Sequence, residues 1–202
     1  DLNTIDSVTS VVVGAATVAT VTGTTADVAT FVTAEQTNNT ITAKAAYAIT
    51  LDGGQTATVD QVNAWDVANS TGVTTATISD VTVAELKTIT ATGAVSALTV
   101  ATTDTSADAA DLNTIDSVTS VAVGAGTVAT VTGLTADVAT FVAADTATTI
   151  TAKDNYAITL TAGQTATVAQ ANTWDAENPM ASIKLRTAVS RTYVRTYGRT
   201  DV

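Results

Sequence analysis

Apolar positions along this chain follow two rhythms. In the first, large apolar residues alternate with small or polar ones. Tyr47, Ile49 and Leu51 alternate with Ala48 and Thr50, and Tyr156, Ile158 and Leu160 repeat the pattern. Ala76 and Ile78 alternate with Thr75 and Thr77, and Leu98 and Val100 with Thr99 and Ala101. A period of two collects one set of side chains on one face, which predicts strands with a single buried face.

In the second rhythm an acid or Gln is followed by an aliphatic residue, two small or polar residues and a large apolar one. It runs from Asp1 to Ile5, Asp27 to Phe31, Gln61 to Trp65, Glu85 to Ile89, Asp111 to Ile115 and Asp137 to Phe141. A seventh copy, Gln170 to Trp174, has Ala171 as a weakened aliphatic. The two apolar anchors, three residues apart, share one helical face. Thr24, Thr58, Thr82, Asp108 and Thr167 stand three residues before the acid or Gln. That is the capping-box spacing, in which the first side chain accepts from the backbone and the second reaches back. Each copy therefore reads as a short capped helix. Helices of this length do not stand alone in water, so each must dock on the strands. Asp52-Gly53-Gly54, Asp80, Asp104 and Gly133 supply the turns.

The seven copies lie 24 to 34 residues apart, a solenoid period. They are nested in a larger repeat: Asp1 to Ser10 returns unchanged as Asp111 to Ser120. The expected fold is a repeat solenoid of parallel β-strands with one short capped helix per coil, an α/β solenoid. An all-β β-helix, with bends in place of helices, is the alternative. Stacked strands sit about 4.8 Å apart and packed helices about 8–10 Å, so curvature or helices cut to a single turn is expected. The longer coils carry an extra segment, Thr40 to Ala46 and Thr149 to Asn155, expected to bulge as a loop. The array is assigned to residues 1–178 and a basic C-terminal tail, capping or inter-subunit, to 179–202. Residue 1 falls inside a repeat, so the chain reads as a mature product or a fragment of a longer array. Its first residues are not a signal peptide.

Composition agrees with this reading. Threonine contributes 47 of 202 residues, and β-branched residues favour strands. Cysteine and histidine are absent, which removes disulfides, thiolate chemistry and His-based catalysis. Residues 1–178 carry eighteen acids against Lys44, Lys87 and Lys153, whereas 179–202 carries five bases against Asp201. The acidic body repels nucleic-acid phosphates. No membrane-length apolar run is present.

Candidate chemistry is sparse. Asp6, Asp66, Asp116 and Asp175 recur on every second coil and raise the question of calcium. Neighbours in that series would lie about 10 Å apart at the strand spacing and would not share an ion that needs about six to eight convergent oxygens. Loop capping is the simpler role, as it is for Asn3, Asn63, Asn113 and Asn172. Calcium is compatible with the composition but indicated by no motif, and no cofactor is expected. Thr-x-Thr pairs such as Thr20/Thr22, Thr75/Thr77 and Thr130/Thr132 resemble ice-binding ranks, yet they fall at different places in the coil and read as outward strand positions. Trp65 and Trp174 share a position with aliphatic residues and are assigned to the core. Asn38 and Asn69 head glycan sequons. The Asp108 and Asp111 carboxylates have no accompanying base or phosphate loop, so an enzyme is not expected.

In the tail, Arg191, Tyr193, Arg195, Tyr197 and Arg199 alternate with Thr192, Val194, Thr196, Gly198 and Thr200. This predicts a strand with one basic-aromatic face. It suits an end cap, addition to a neighbouring chain's edge, or contact with an acidic polysaccharide. The bland alternative is a segment foreign to the natural protein, or a disordered one.

The stretch from Leu98 to Asp116, with Thr-Gly-x-Thr-Ala-Asp-Val at Thr22 to Val28 and again at Thr132 to Val138, resembles the Thr/Ala-rich repeats of giant secreted surface proteins of cyanobacteria and other aquatic bacteria. The likeness covers residues 1–178 and implies an extracellular, non-enzymatic, surface-associated role, with no site residues carried over. The expected function is a structural repeat protein of an extracellular filament, sheath or surface layer, self-associating end to end. An adhesin stalk or glycan-binding module, with extracellular polysaccharide as partner, is the alternative.

Overall fold

The computed structural model describes residues 1–178 and the backbone of 183–184; the tail face from Arg191 to Arg199 lies outside them. The fold is mixed α/β, with strands and helices alternating and parallel strands in several sheets. In the first repeat, α1 (Leu2–Ser7) leads to β1 (Val13–Ala15) and β2 (Thr20–Gly23). Then come α2 (Thr25–Gln36), β3 (Ile41–Ala43), β4 (Ala48–Leu51) and β5 (Thr56–Ala57). The chain continues with α3 (Val59–Ala68), β6 (Thr74–Ile78), α4 (Val83–Leu86), β7 (Ala97–Thr99) and β8 (Ser106–Asp108). The second repeat returns α5 (Ala109–Ser117), β9 (Val123–Ala125), β10 (Thr130–Gly133), α6 (Thr135–Thr146), β11 (Ile150–Ala152), β12 (Ala157–Leu160) and α7 (Val168–Glu177). The short strand β13 (Ile183–Lys184) pairs with β12 beyond the end of the repeat.

Every strand pairing is parallel and joins neighbouring strand–helix units. Val21 lies beside Ile49 and Ile49 beside Thr74. Ala76 lies beside Leu98, and Val131 lies between Ala107 and Ile158. The alternation holds as read: Tyr47, Ile49, Leu51, Ala76, Ile78, Leu98 and Val100 are buried, while Thr75, Thr77 and Thr99 face out.

All seven predicted helical motifs coincide with helices, which overturns the all-β alternative. Thr58, Thr82 and Thr167 form complete capping boxes with Gln61, Glu85 and Gln170. Thr24 accepts from the Asp27 amide, and Asp108 from the Ala110 amide. The helical anchors meet the strand faces in one core: Val28, Phe31, Val62, Trp65, Leu86, Ile89, Leu112, Ile115, Val138, Phe141 and Trp174 are all buried. Burying a side chain of this size stabilises by about 1.5–3 kcal/mol, which is what holds helices of four to twelve residues that are marginal in isolation. In α4 a single turn remains, because β-branched Thr88, Ile89 and Thr90 follow at once and β-branched residues lose side-chain freedom in a helix. Ile89 still reaches the core.

Two expectations are corrected. The segments from Thr40 and Thr149 do not bulge: Ile41 and Ile150 are buried, and Ile41–Ala43 and Ile150–Ala152 pair in register with Val13–Ala15 and Val123–Ala125. A three-residue strand is too short to show its alternation clearly. Gly133 is the last residue of β10 rather than a turn. Among the described residues, units approach most closely at two glycines. A Cβ on Gly93 would lie 1.9 Å from the Ser70 carbonyl oxygen, and one on Gly72 would lie 2.1 Å from that of Tyr47.

Candidate functional site

The polar side chains singled out in the sequence form ladders between units rather than a convergent site. The Nδ2 groups of Asn3, Asn63 and Asn113 donate to the carbonyls of Asp27, Thr88 and Asp137, each at 2.9 Å and 24 or 25 residues along. Asn63 also accepts from the Thr90 amide at 2.8 Å. The Asp27 and Asp137 carbonyls lie in the first turns of α2 and α6, whereas that of Thr88 lies in the turn that follows α4. The Asp series does bind loops. Asp6 and Asp116 accept from the hydroxyls of Thr40 and Thr149 at 2.9 and 3.0 Å. Asp66 accepts from the Thr92 amide and hydroxyl at 3.1 and 2.9 Å. For Asn172 and Asp175, the positions some 24 residues along lie outside the described residues.

A second ladder escaped the sequence reading. The first amide of a helix points out of its N-terminus without an intrahelical partner. Here it donates to a side chain one unit on. Val59 donates to Asp80 at 2.5 Å and Val83 to Asp104 at 2.7 Å. Thr25 and Thr135 donate to Gln55 and Gln164, each at 3.3 Å. Asp80 and Asp104 look like turn residues in the sequence and serve as caps for helices that begin 21 residues earlier. Only the recurrence of Gln-Thr ahead of α3 and α7 hinted at this.

The C-terminal ends of α3 and α7 are tied in the same way. Asn69 donates to the Tyr47 carbonyl, and Asn178 to that of Tyr156 at 2.6 Å. Asn69 is thus a buried cap, inaccessible as a glycan acceptor, whereas Asn38 is exposed. Tyr47 and Tyr156 each pack edge-on against a phenylalanine, Phe31 and Phe141, with ring centroids 5.3 Å apart. Burial, reinforced by the Glu35 carboxylate that accepts from its hydroxyl at 2.9 Å, pushes the Tyr47 phenol above its ordinary range. Burial likewise raises Tyr156, with the charges of Asp145 and Glu177 adding to it. Asp145 is itself raised by burial, opposed by the Ala152 amide that donates to it.

The remaining candidates disperse. Trp65 and Trp174 lie in the core. The Thr-x-Thr pairs do not stack on one another: Thr20/Thr22 lies against Ala48/Thr50, Thr75/Thr77 against Ala97/Thr99, and Thr130/Thr132 against Ala157/Thr159. Asp108 and Asp111 serve separate contacts, a helix cap and a 2.9 Å ion pair with Lys87. That pair is part-exposed and contributes at most about 1 kcal/mol. Among the described residues no cluster of three acidic, His or Cys groups is placed to hold a metal. No helix there is long and apolar enough to cross a membrane.

Two clefts are open. One, of about 340 Å³, is lined by Asp1, Leu2, Asn3, Val18, the strand from Thr20 to Thr22, Asp27 and Phe31. The other, of about 270 Å³, lies between the loop at Asp116 to Ala122 and Ala147 to Thr149. Comparison with protein-family models, with curated proteins and with solved structures returns no match.

Proposed function

We propose that residues 1–178 form an α/β solenoid, and that the chain is a structural repeat protein of an extracellular filament, sheath or surface layer, built by end-to-end assembly. The observation that carries this reading is the stepwise bonding. Asn3 to Asp27, Asn63 to Thr88 and Asn113 to Asp137 span 24 or 25 residues, and strands pair in parallel between neighbouring units, as β8 does with β10 and β2 with β4. A stack held by nearest-neighbour contacts grows by adding units. Unpaired strand edges at its ends favour addition of another chain, and a head-to-tail contact that does not close yields filaments. The polar residues serve as rungs of the ladder, a structural use. The likeness to Thr/Ala-rich repeats of secreted surface proteins fits the same role, with the cell surface as its location and calcium unnecessary to it.

Electron microscopy of the purified chain, with and without residues 179–202, tests the reading. Fibres that disappear on removing the tail support a filament subunit in which Arg191, Tyr193, Arg195, Tyr197 and Arg199 make the joining face. Single particles in both samples, at all concentrations, remove self-assembly and favour a stalk or polysaccharide-binding module.

A further inference from the structure

The decapeptide that occurs twice sits in two different environments. Ile115 is fully buried, whereas Ile5 is 51% exposed. Thr119 is buried and Thr9 exposed; Val123 is buried and Val13 only partly so. With the sequence identical from Asp1 to Ser10, the difference lies in what packs against it.

At the second copy the covering unit is residues 82–110. The edge of β10 takes β8 in parallel register, Thr130 beside Ser106, Val131 beside Ala107 and Thr132 beside Asp108. The equivalent edge of β2 has no strand among the described residues, and the 340 Å³ cleft lined by Val21, Thr22 and Leu2 lies along it. Asp108 also caps α5, which begins at Ala109, whereas α1 begins at Leu2 without a side-chain cap. The hydroxyl of Thr119 donates to the Leu98 carbonyl at 2.7 Å and accepts its amide at 3.0 Å. Lys87 pairs with Asp111. A Cβ on Gly124 would lie 2.9 Å from that of Ala101, whereas Gly14 faces open space.

We infer that the open face formed by residues 1–22 is a seat for one further strand–helix unit with the sequence character of residues 82–110. Its strand fills the cleft beside Thr20 to Thr22, its leucines cover Leu2 and Ile5, and its lysine meets Asp1. The inference rests on the solenoid reading and adds the identity of the partner at this end. In end-to-end assembly the C-terminal end of a second copy would compete for this seat; that copy's residues 82–110 do not reach it, being held between β6 and β10. The donor is another repeat of this kind.

The test is the full chain extended by a copy of residues 82–110 placed directly before Asp1, reproducing the Ala110–Asp111 junction. Amide exchange is read at Ser10 and Gly14. Their counterparts Ser120 and Gly124 donate to the carbonyls of Ser96 and Val100, each at 2.9 Å. The expected result is that both amides move from fast exchange into the slow class of the central strands. Unchanged exchange, or an extended chain that fails to fold, overturns the inference. Ile5→Asp is the second arm. It is tolerated by the parent and lowers the denaturant midpoint sharply in the extended chain if the seat is filled; equal effects in the two chains overturn the inference. Filaments of the parent chain are a separate readout. A parent that forms none while the extended chain gains protection loses the assembly role and keeps the seat. Filaments without gained protection leave the role and remove the seat.

Discussion

Tyr47 and Tyr156 occupy the same place in the two repeats but differ in one partner. The Tyr47 hydroxyl donates to Glu35. Asp145 stands at the matching position one methylene shorter, and the Tyr156 hydroxyl is buried without a hydrogen bond to it. A satisfied buried hydrogen bond contributes about 0.5–1.5 kcal/mol, and an unsatisfied polar group costs more than its removal. Tyr47→Phe should therefore destabilise by about 1 kcal/mol, and Tyr156→Phe, whose hydroxyl has no close partner, by less; urea midpoints of the two variants decide it. Both phenols titrate above their unfolded value, so the stability they contribute is complete below about pH 10 and is lost as pH rises past it. A midpoint that falls from pH 9 to pH 11, and falls less in the double Phe variant, is the expected profile. A second residue-scale difference is Leu134, which replaces the capping Thr24 and leaves α6 with no side-chain cap. Leu134→Thr should raise stability by about 1 kcal/mol, and a midpoint that fails to rise would show that the α6 N-terminus is satisfied in another way.

At the scale of the element, no helix here is self-sufficient. Local capping boxes satisfy the third amide of α3, α4 and α7, but the first amides of α3 and α4 depend on Asp80 and Asp104 from the following unit. The shortest helix, α4, depends on this most. Asp104→Ala leaves the Val83 amide without its carboxylate and should cost about 1–2 kcal/mol. Because the bond crosses units, the loss should appear as faster amide exchange in both α4 and the loop around Asp104. A loss confined to residues 102–106 would argue against the cap.

At the scale of the molecule, context outweighs sequence in the twice-used decapeptide. Ile115→Ala removes a fully buried side chain and should cost about 2–5 kcal/mol. Ile5→Ala alters a half-exposed one and should cost well under half as much. Comparable losses from the two variants, measured by denaturant unfolding, would mean that the first unit is covered in solution by another chain. In the proposed solenoid each unit is held by its neighbours, so the first unit, covered on one side only, is also expected to exchange fastest in the parent chain.

Much of the local structure was written in the sequence. Period-two runs gave the strands around Ile49, Ala76, Leu98 and Ile158, and the recurring five-residue motif placed all seven helices, five of them with the capping spacing, because a strand face and an N-cap each need only residues close together in the chain. The acidic composition and the missing cysteine and histidine were likewise readable at once. Tertiary structure decided what pairs across units. That Ile41 and Ile150 begin strands followed from their partners Val13 and Val123. That Asp80 and Asp104 cap helices some twenty residues earlier in the chain followed from stacking, and no local spacing encodes it. In the identical decapeptides, Leu112, Ile115 and Thr119 became buried while their counterparts Leu2, Ile5 and Thr9 stayed partly or fully exposed. Burial depends on the neighbour a segment meets, and only the folded chain supplies that neighbour.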